Sequence, residues 1–455
     1  MYAANITKYT RVKNGGNHSR MVKKQGNLYV CNPNIRHMKV FKFGGASVKH
    51  AEAVKNVANV LRNFQKDDLL IVVSAMGKTT NALEQLALAY YKKDKNKNKI
   101  YNEIKSFHDE VISGLLKDKK SHAYNDIENL FIELECLLET KPESSFDCIY
   151  DQIVSYGEIF SSRIVSTYLN ESDLRNRWMD AQNFISTDNN FREGKVDWEL
   201  TYDIISKKLK PIVKKQMVVT QGFVGRSADL KTVTLGREGS DYSAAIFAYG
   251  LDAESVTIWK DVDGVMNADP KKFPEAVKLD ALSYSHAIEL AYYGATVIHP
   301  KTIQPLQSKN IPLYVRSFIN PKGKGTTVAN NSKEKNIPTF ISKTNQVLLS
   351  ISSKDFSFII EDNLSKIFSV FANNKLHMNL MQNSAISFSV CADNNEEKIA
   401  ALKKELSKDY VVKANTGVEM LTVMHYTDAS LTKLLKGKNI LLEQRTRATV
   451  QFVLK

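Results

Sequence analysis

The chain has 455 residues, 43% of them hydrophobic, which is enough to bury cores in two or three domains. A formal charge of +14 invites a nucleic-acid reading, but seven Lys or Arg and no acid fall in residues 1–37, half of the excess, and no stripe of aromatics interleaved with basic residues runs through the rest. No apolar run approaches the roughly 18–20 residues of a membrane span. The four cysteines (Cys31, Cys136, Cys148, Cys391) form no C-x-x-C pair, which argues against a zinc site or disulfide framework and points to a reducing, cytoplasmic setting.

Residues 1–37 are polar and patternless until "NLYVC" (27–31), and Met38 stands directly before the first convincing strand. This basic extension is expected to lack structure; an organellar leader and a start placed too far upstream are the other readings. Four apolar, β-branched-rich segments then end in small or polar residues: "VFKFGGAS" (40–47), "LLIVVSAMG" (69–77), "MVVTQGFVG" (217–225) and "SVTIWKDVDG" (255–264). Such continuous runs suit strands buried on both faces. Helical spacing lies between them, at "AEAVKNVANVLRNF" (51–64) and "CIYDQIVSYGEIFSSRIVSTYL" (148–169), while "YYKKDKNKNK" (90–99) is a solvated charge run. The alternation predicts an α/β domain over 38–320, with a mostly parallel sheet sandwiched by helices. Ligands collect at the carboxyl ends of such strands, where Gly44, Gly45, Ser74, Gly77, Gln221, Gly222 and Asp261 fall.

Residues 321–338 are rich in Pro, Gly, Asn and charge and read as a linker, with a short strand possible at "GTTVA". Over 339–455 the segments shorten into β-α-β-β-α followed by a second, less complete round, a pattern that suits a regulatory or assembly module.

Three stretches carry the chemistry. In "KVFKFGGASVKH" (39–50) a lysine precedes two glycines; no G-K-[ST] follows, so this is no Walker loop, and alone it supports only a strand–helix turn. In "TLGREGSDYSAAIFA" (234–248) two glycines and Ser240-Asp241 stand before a good helix. The plain reading is an N-cap; the functional one is an anion site at the helix start with Arg237 as a two-donor clamp for a carboxylate. "WKDVDGVMNADPKKFP" (259–274) is turn-rich and acidic, a solvated loop or one that wraps a nucleotide. "YYGATVIHPKTIQPL" (292–306) reads as a strand-like unit ending at His299-Pro300.

Together, "KFGGAS", "VSAMGKTTN" (73–81), "SYGE" (155–158), "TQGFVG" (220–225), "LGREGSDYSA", "WKDVDGVMNADP" and "YYGATVIHP" stand in the order and approximate spacing of the aspartate kinases, and the segment ending in "ILLEQRTRATVQFVLK" (440–455) resembles their paired ACT domains. The resemblance covers Met38 to Lys455 and is to the monofunctional form. It implies the amino-acid-kinase fold, two ferredoxin-like βαββαβ ACT units, and transfer of the γ-phosphoryl group of ATP, with Mg²⁺, to the β-carboxylate of L-aspartate. That is the first step of lysine, threonine and methionine biosynthesis. By position, the resemblance assigns the transferring phosphate to Lys42, Gly44, Gly45 and Ser74, and the substrate to Thr80, Glu158 (ammonium) and Arg237 (α-carboxylate). Ser240 and Asp241 organise the site, and Lys260, Asp261, Met266 and Lys271 stand at the nucleotide-loop positions, with no direct protein ligand for the metal.

Three positions depart from the pattern: Ala46 for a usual Thr, Glu238 for a common Gly, and Thr296 where many members have a nucleotide-contacting Lys that Lys301 is expected to replace. The paired ACT units imply a homodimer and feedback by an amino acid, most often lysine or threonine, in a pocket around Glu361, Asp362, Asn379, Asn383 and Ser384. The alternatives are another kinase of this fold, acting on glutamate, acetylglutamate, carbamate or a nucleotide, and a catalytically weakened amino-acid sensor.

Overall fold

The computed structural model describes residues 20–24, 27–31, 36–116, 122–295, 298–330, 332, 334–355 and 357–455. Eight strands form one sheet: β1 (Met38–Phe43), β2 (Asp68–Val73), β3 (Asn176–Trp178), β4 (Met217–Gln221), β5 (Ser255–Lys260), β6 (Ala281–Leu282), β7 (Leu313–Ser317) and β8 (Thr326–Val328), in the order β6-β8-β7-β5-β1-β2-β4-β3. Every neighbouring pair is parallel except β7 with β8.

Side-chain alternation sends Phe41, Phe43, Leu69, Ile71, Val73 and Trp259 to one face, under α1 (Ala51–Leu61), α2 (Thr79–Tyr91), α3 (Lys97–Leu115), α4 (His122–Glu139) and α5 (Phe146–Glu171). Val40, Leu70, Val72, Val218, Val256 and Ile258 go to the other, under α6 (Gly239–Leu251), α7 (Tyr284–Tyr293) and α8 (Pro300–Ser308). Each such side chain, fully buried, contributes about 1.5–3 kcal/mol. Lys42 is the one buried lysine among the described residues. It lies two residues after Val40, so it points to the α6 side at the strand's carboxyl end, and it is buried.

The sheet of 339–455 is six-stranded and antiparallel throughout: β9 (Thr339–Ser353), β10 (Met378–Asn383), β11 (Ser387–Asp393), β12 (Tyr410–Met424), β13 (Ile440–Arg445) and β14 (Thr449–Leu454), ordered β10-β11-β9-β12-β14-β13. Helices α9 (Glu361–Asn373) and α10 (Glu396–Leu406) pack on the first unit, which has the full βαββαβ order, and α11 (Asp428–Leu435) on the second. The two units share β9 and β12: residues 346–353 of β9 pair with 410–418 of β12, and residues 339–343 with 420–424.

Four sequence expectations change. Within the extension, Arg20–Lys24 and Asn27–Cys31 pair as an antiparallel hairpin; residues 1–19 lie outside the described residues. The segment 321–338 is more than a linker, because β8 belongs to the kinase sheet and pairs with both β7 and β6. "YYGA" (292–295) is not strand-like: Tyr292 and Tyr293 end α7, which Ser283 caps through the His286 N–H and Gly294 terminates at φ +111°. Finally, α6 starts earlier than its capping residues suggest. Its N-cap is Glu238 at φ +53°, which leaves Ser240 and Asp241 inside the first turn with their side chains free for other partners.

Candidate active site

The carboxyl ends of β1, β2 and β5 and the first turn of α6 surround a cavity of about 700 Å³. Its walls include Lys42, Gly45, Ser74, Thr80, Glu158, Arg237, Ser240, Asp241 and Lys260, nine of the residues the motifs single out. Lys42 Nζ lies 2.6 Å from Asp241 Oδ1, and Lys260 Nζ lies 3.8 Å from Asp241 Oδ2. Burial alone would raise the Asp241 pKa, but the two ammonium groups outweigh it and hold the carboxyl below its ordinary value. Asp241 therefore stays an anion and aims both lysines at one point.

Glu158 has a different environment. It is buried on α5 and accepts hydrogen bonds from Ser240 Oγ at 3.1 Å to each oxygen, and the nearby Ala75 and Gly222 N–H groups and the charge of Lys42 favour its anion. Desolvation still dominates and pushes its pKa up to about 7. A carboxylate so placed gains from an incoming cation more than an exposed one would.

Two glycines permit this packing. A Cβ on Gly45 would sit 2.8 Å from the Ala75 carbonyl, and one on Gly222 would sit 2.6 Å from Ser240 Cβ. The β1 loop thus closes on the β2 loop, and the start of α6 closes on β4. Gly44 lies just behind, its missing Cβ 3.3 Å from Lys42 Nζ. No side chain caps the short 3₁₀ turn Gly45–Val48 that follows. Ala46 packs against the apolar core instead of offering a hydroxyl.

The remaining nucleotide-loop positions are not on these walls. Asp261 and Lys271 are exposed, Met266 is half-buried and bridges to Lys278, and Lys301 sits in the first turn of α8, where its N–H donates to His299 Nδ1. Thr296 lies outside the described residues. That loop is anchored from the other domain: the Phe340 N–H donates to the Asn267 carbonyl at 2.7 Å, Asn267 Nδ2 donates to the Pro338 carbonyl at 2.8 Å, and Phe273 stacks on Phe340.

The five effector candidates split: the Ile359 N–H donates to the Ala385 carbonyl at 2.9 Å, which sets the start of α9 against the turn after β10, while Asn379 lies apart. Asp362 lines a polar cleft with Lys354, Lys366 and Asp409. Asn379 faces the kinase domain, where it accepts from Lys343 Nζ at 2.9 Å. Glu361, Asn383 and Ser384 are exposed.

Sequence reasoning missed Glu84, Tyr150 and the 191–193 loop, which also line the cavity, and marked Glu238 only as a departure although it lines the cavity too. Tyr150 donates to Glu84, and buried Asp151 pins the loop by accepting from the Arg192 and Thr234 N–H groups. The "REG" of the loop has no local signature; only the fold brings it beside Asp151 and Thr234.

A parallel sheet between helix layers, with paired lysines and a buried carboxylate at its carboxyl edge, is the architecture of small-molecule phosphotransferases, and the family model described as the amino acid kinase family matches residues 37–317. The lysine-sensitive aspartokinase 3 of Escherichia coli is 30% identical over 78% of this chain and 78% of its own length, and the chloroplastic aspartokinase 1 of Arabidopsis thaliana is 30% identical over 85% and 70%. Among solved structures, E. coli aspartokinase III in complex with aspartate and ADP superposes with a TM-score of 0.78 at 26% identity, covering 92% of this chain and 96% of that one. The same enzyme in complex with lysine and aspartate gives 0.77 over 91% and 95%. The chain belongs to the aspartokinases, ATP-dependent phosphotransferases with a carboxyl group as acceptor.

Proposed function

We propose that this chain phosphorylates the β-carboxylate of L-aspartate through the residues of the 700 Å³ cavity. The observation that carries the reading is the Lys42–Asp241–Lys260 triplet facing the buried Glu158. The nucleophile is already an anion, so the difficulty is to bring two anions together and to stabilise charge during transfer. Lys42, with the backbone of Gly44 and Gly45 and with Ser74, holds the transferring phosphoryl group. Asp241 is the positioning residue that directs Lys42 and Lys260. Glu158 takes the substrate ammonium with Ser240 beside it, Arg237 takes the α-carboxylate, and Thr80 closes the substrate end. Asp261, Met266, Lys271 and Lys301 serve the nucleotide from the neighbouring loops; a Lys301→Ala variant with unchanged KM for ATP would remove Lys301 from that set.

Mg²⁺ has no protein cage here: no three potential ligands converge among the described residues. Both oxygens of Asp241, the nearest anion, already face lysines. The residues fit a metal carried in on the nucleotide phosphates, where it supplies further charge neutralisation.

Feedback by an amino acid, lysine or threonine in class, is supported by the anchoring of the nucleotide loop on Phe340 and Pro338 at the start of the second domain. A homodimer through that domain is supported by Phe358, Ile360, Phe368, Met381 and Ile386, large apolar side chains left exposed together on its first unit. Unpaired Cys136, Cys148 and Cys391 suit a reducing cytoplasm. The test is ATP-dependent acyl-phosphate formation trapped with hydroxylamine, over aspartate, glutamate and acetylglutamate. Hydroxamate with aspartate is expected; none with aspartate from a folded protein would sink the reading.

A further inference from the structure

A second cavity, of about 470 Å³, lies between the kinase domain and the first ACT unit. It shares Arg237 and Glu238 with the active-site cavity, so these two residues form the wall between the two spaces. From the opposite side, β9 sends in Lys343, whose stem lies across Gly294: a Cβ there would be 2.4 Å from Lys343 Cε. The lysine therefore reaches over the kinase domain at a point that no other residue type would leave open.

Its ammonium group has no full counter-charge. Lys343 Nζ donates to the neutral amide oxygen of Asn379. The nearby acid, Asp393, accepts on Oδ1 from Gln346 Nε2 at 2.9 Å and from Asn379 Nδ2 at 3.0 Å. Burial pushes the Lys343 pKa down; Asp393 counters it, and the charge of Arg237 across the cavity adds to the depression. Two cations from two domains thus face one polar space; the carboxylates of Glu238 and Asp393 also line it, but among the described residues neither cation makes an ion pair with them.

We propose that this interdomain cavity binds a small carboxylate, held between Lys343 of the ACT sheet and Arg237 of the kinase domain, and that this ligand competes with substrate for Arg237. A carboxylate there satisfies both charges at once and, through Arg237, ties the position of the ACT sheet to substrate affinity. The competition rests on the reading of Arg237 as the substrate-carboxylate clamp; binding at Lys343 does not.

Malonate is the probe, titrated calorimetrically into the full-length chain without substrates. Lys343→Met should weaken malonate binding about tenfold or more and Lys343→Arg by less than about threefold, as expected for loss or retention of a charged hydrogen bond. Asn379→Asp keeps the lysine but supplies it with an internal carboxylate, and should weaken malonate in the same direction. Saturating aspartate should raise the malonate Kd by the factor by which malonate raises that of aspartate. Equal malonate affinity in wild type and Lys343→Met, or no binding to wild type at tens of millimolar, overturns the site. Malonate binding that depends on Lys343 but is indifferent to aspartate leaves the site standing and overturns the competition and the assignment of Arg237.

Discussion

The kinase cavity and the face of the ACT sheet treat polar residues in opposite ways. In the cavity Lys42, Glu158, Ser240 and Asp241 are buried, and each has its partner within the same chain. On the ACT face Glu361, Asn383 and Ser384 are exposed beside Phe358, Phe368 and Met381. A buried charge must be matched when the chain folds, or the fold does not form; a surface charge can wait for a ligand or a second copy. The first region therefore meets its polar groups within one chain, and the second leaves polar and apolar groups open to solvent.

That contrast can be broken most forcefully at Lys42. Lys42→Met should lower kcat for hydroxamate formation by about 10²–10³, the usual cost of one charge-stabilising group; a loss under tenfold would mean that Lys42 is not the centre of the phosphate site. Next, Glu158→Gln should raise KM for aspartate about 10–100-fold with a smaller change in kcat, since a charged hydrogen bond to the ammonium is lost. In the wild type 1/KM should climb as pH rises toward about 7 and then level off, because the Glu158 pKa is raised and its anion is the binding form. The stability sign is the reverse. A carboxyl with a raised folded pKa contributes fully below its ordinary value of 4.5 and loses that contribution as pH rises through about 7, so the Tm of Glu158→Gln should gain on wild type between pH 5 and 8.

A smaller effect is expected at Gly222→Ala, where the new methyl meets Ser240; overpacking of this kind costs about 1–3 kcal/mol, read as a lowered Tm with KM for aspartate raised. The least change in catalysis belongs to Phe368→Glu on the open ACT face. Light scattering should show a smaller species whose amino-acid inhibition is weakened while hydroxamate formation persists. A monomer that is still fully inhibited would show that the effector site is contained in one chain after all.

Much of the kinase domain was legible because two simple signals agree. Runs such as "LLIVV" are too apolar to lie anywhere but inside a two-faced sheet, and the polar residues that interrupt them cluster at one strand end. Lys42 stands out for the same reason: a lysine inside a buried strand needs a partner, and the partner lies almost 200 residues away on α6. What could not be read depends on tertiary approach. Nothing local marks the Arg192 loop, which Asp151 draws to the cavity. Ser240 and Asp241 resemble caps by composition, yet the turn at Glu238 takes the capping position and releases them. Asn379 seemed an effector residue by its place on β10, and only the crossing of Lys343 over Gly294 shows that it faces the other domain.

The two 15-residue strands β9 and β12 run through both ACT units side by side, paired over nearly their whole length. The sheet consequently has one spine rather than two. Both units run through these two strands, so cutting the chain between them leaves an open edge on each piece instead of a smaller independent fold. The backbone amides of that central pair should be the slowest in the module to exchange with solvent, and they should be released together in a single opening event.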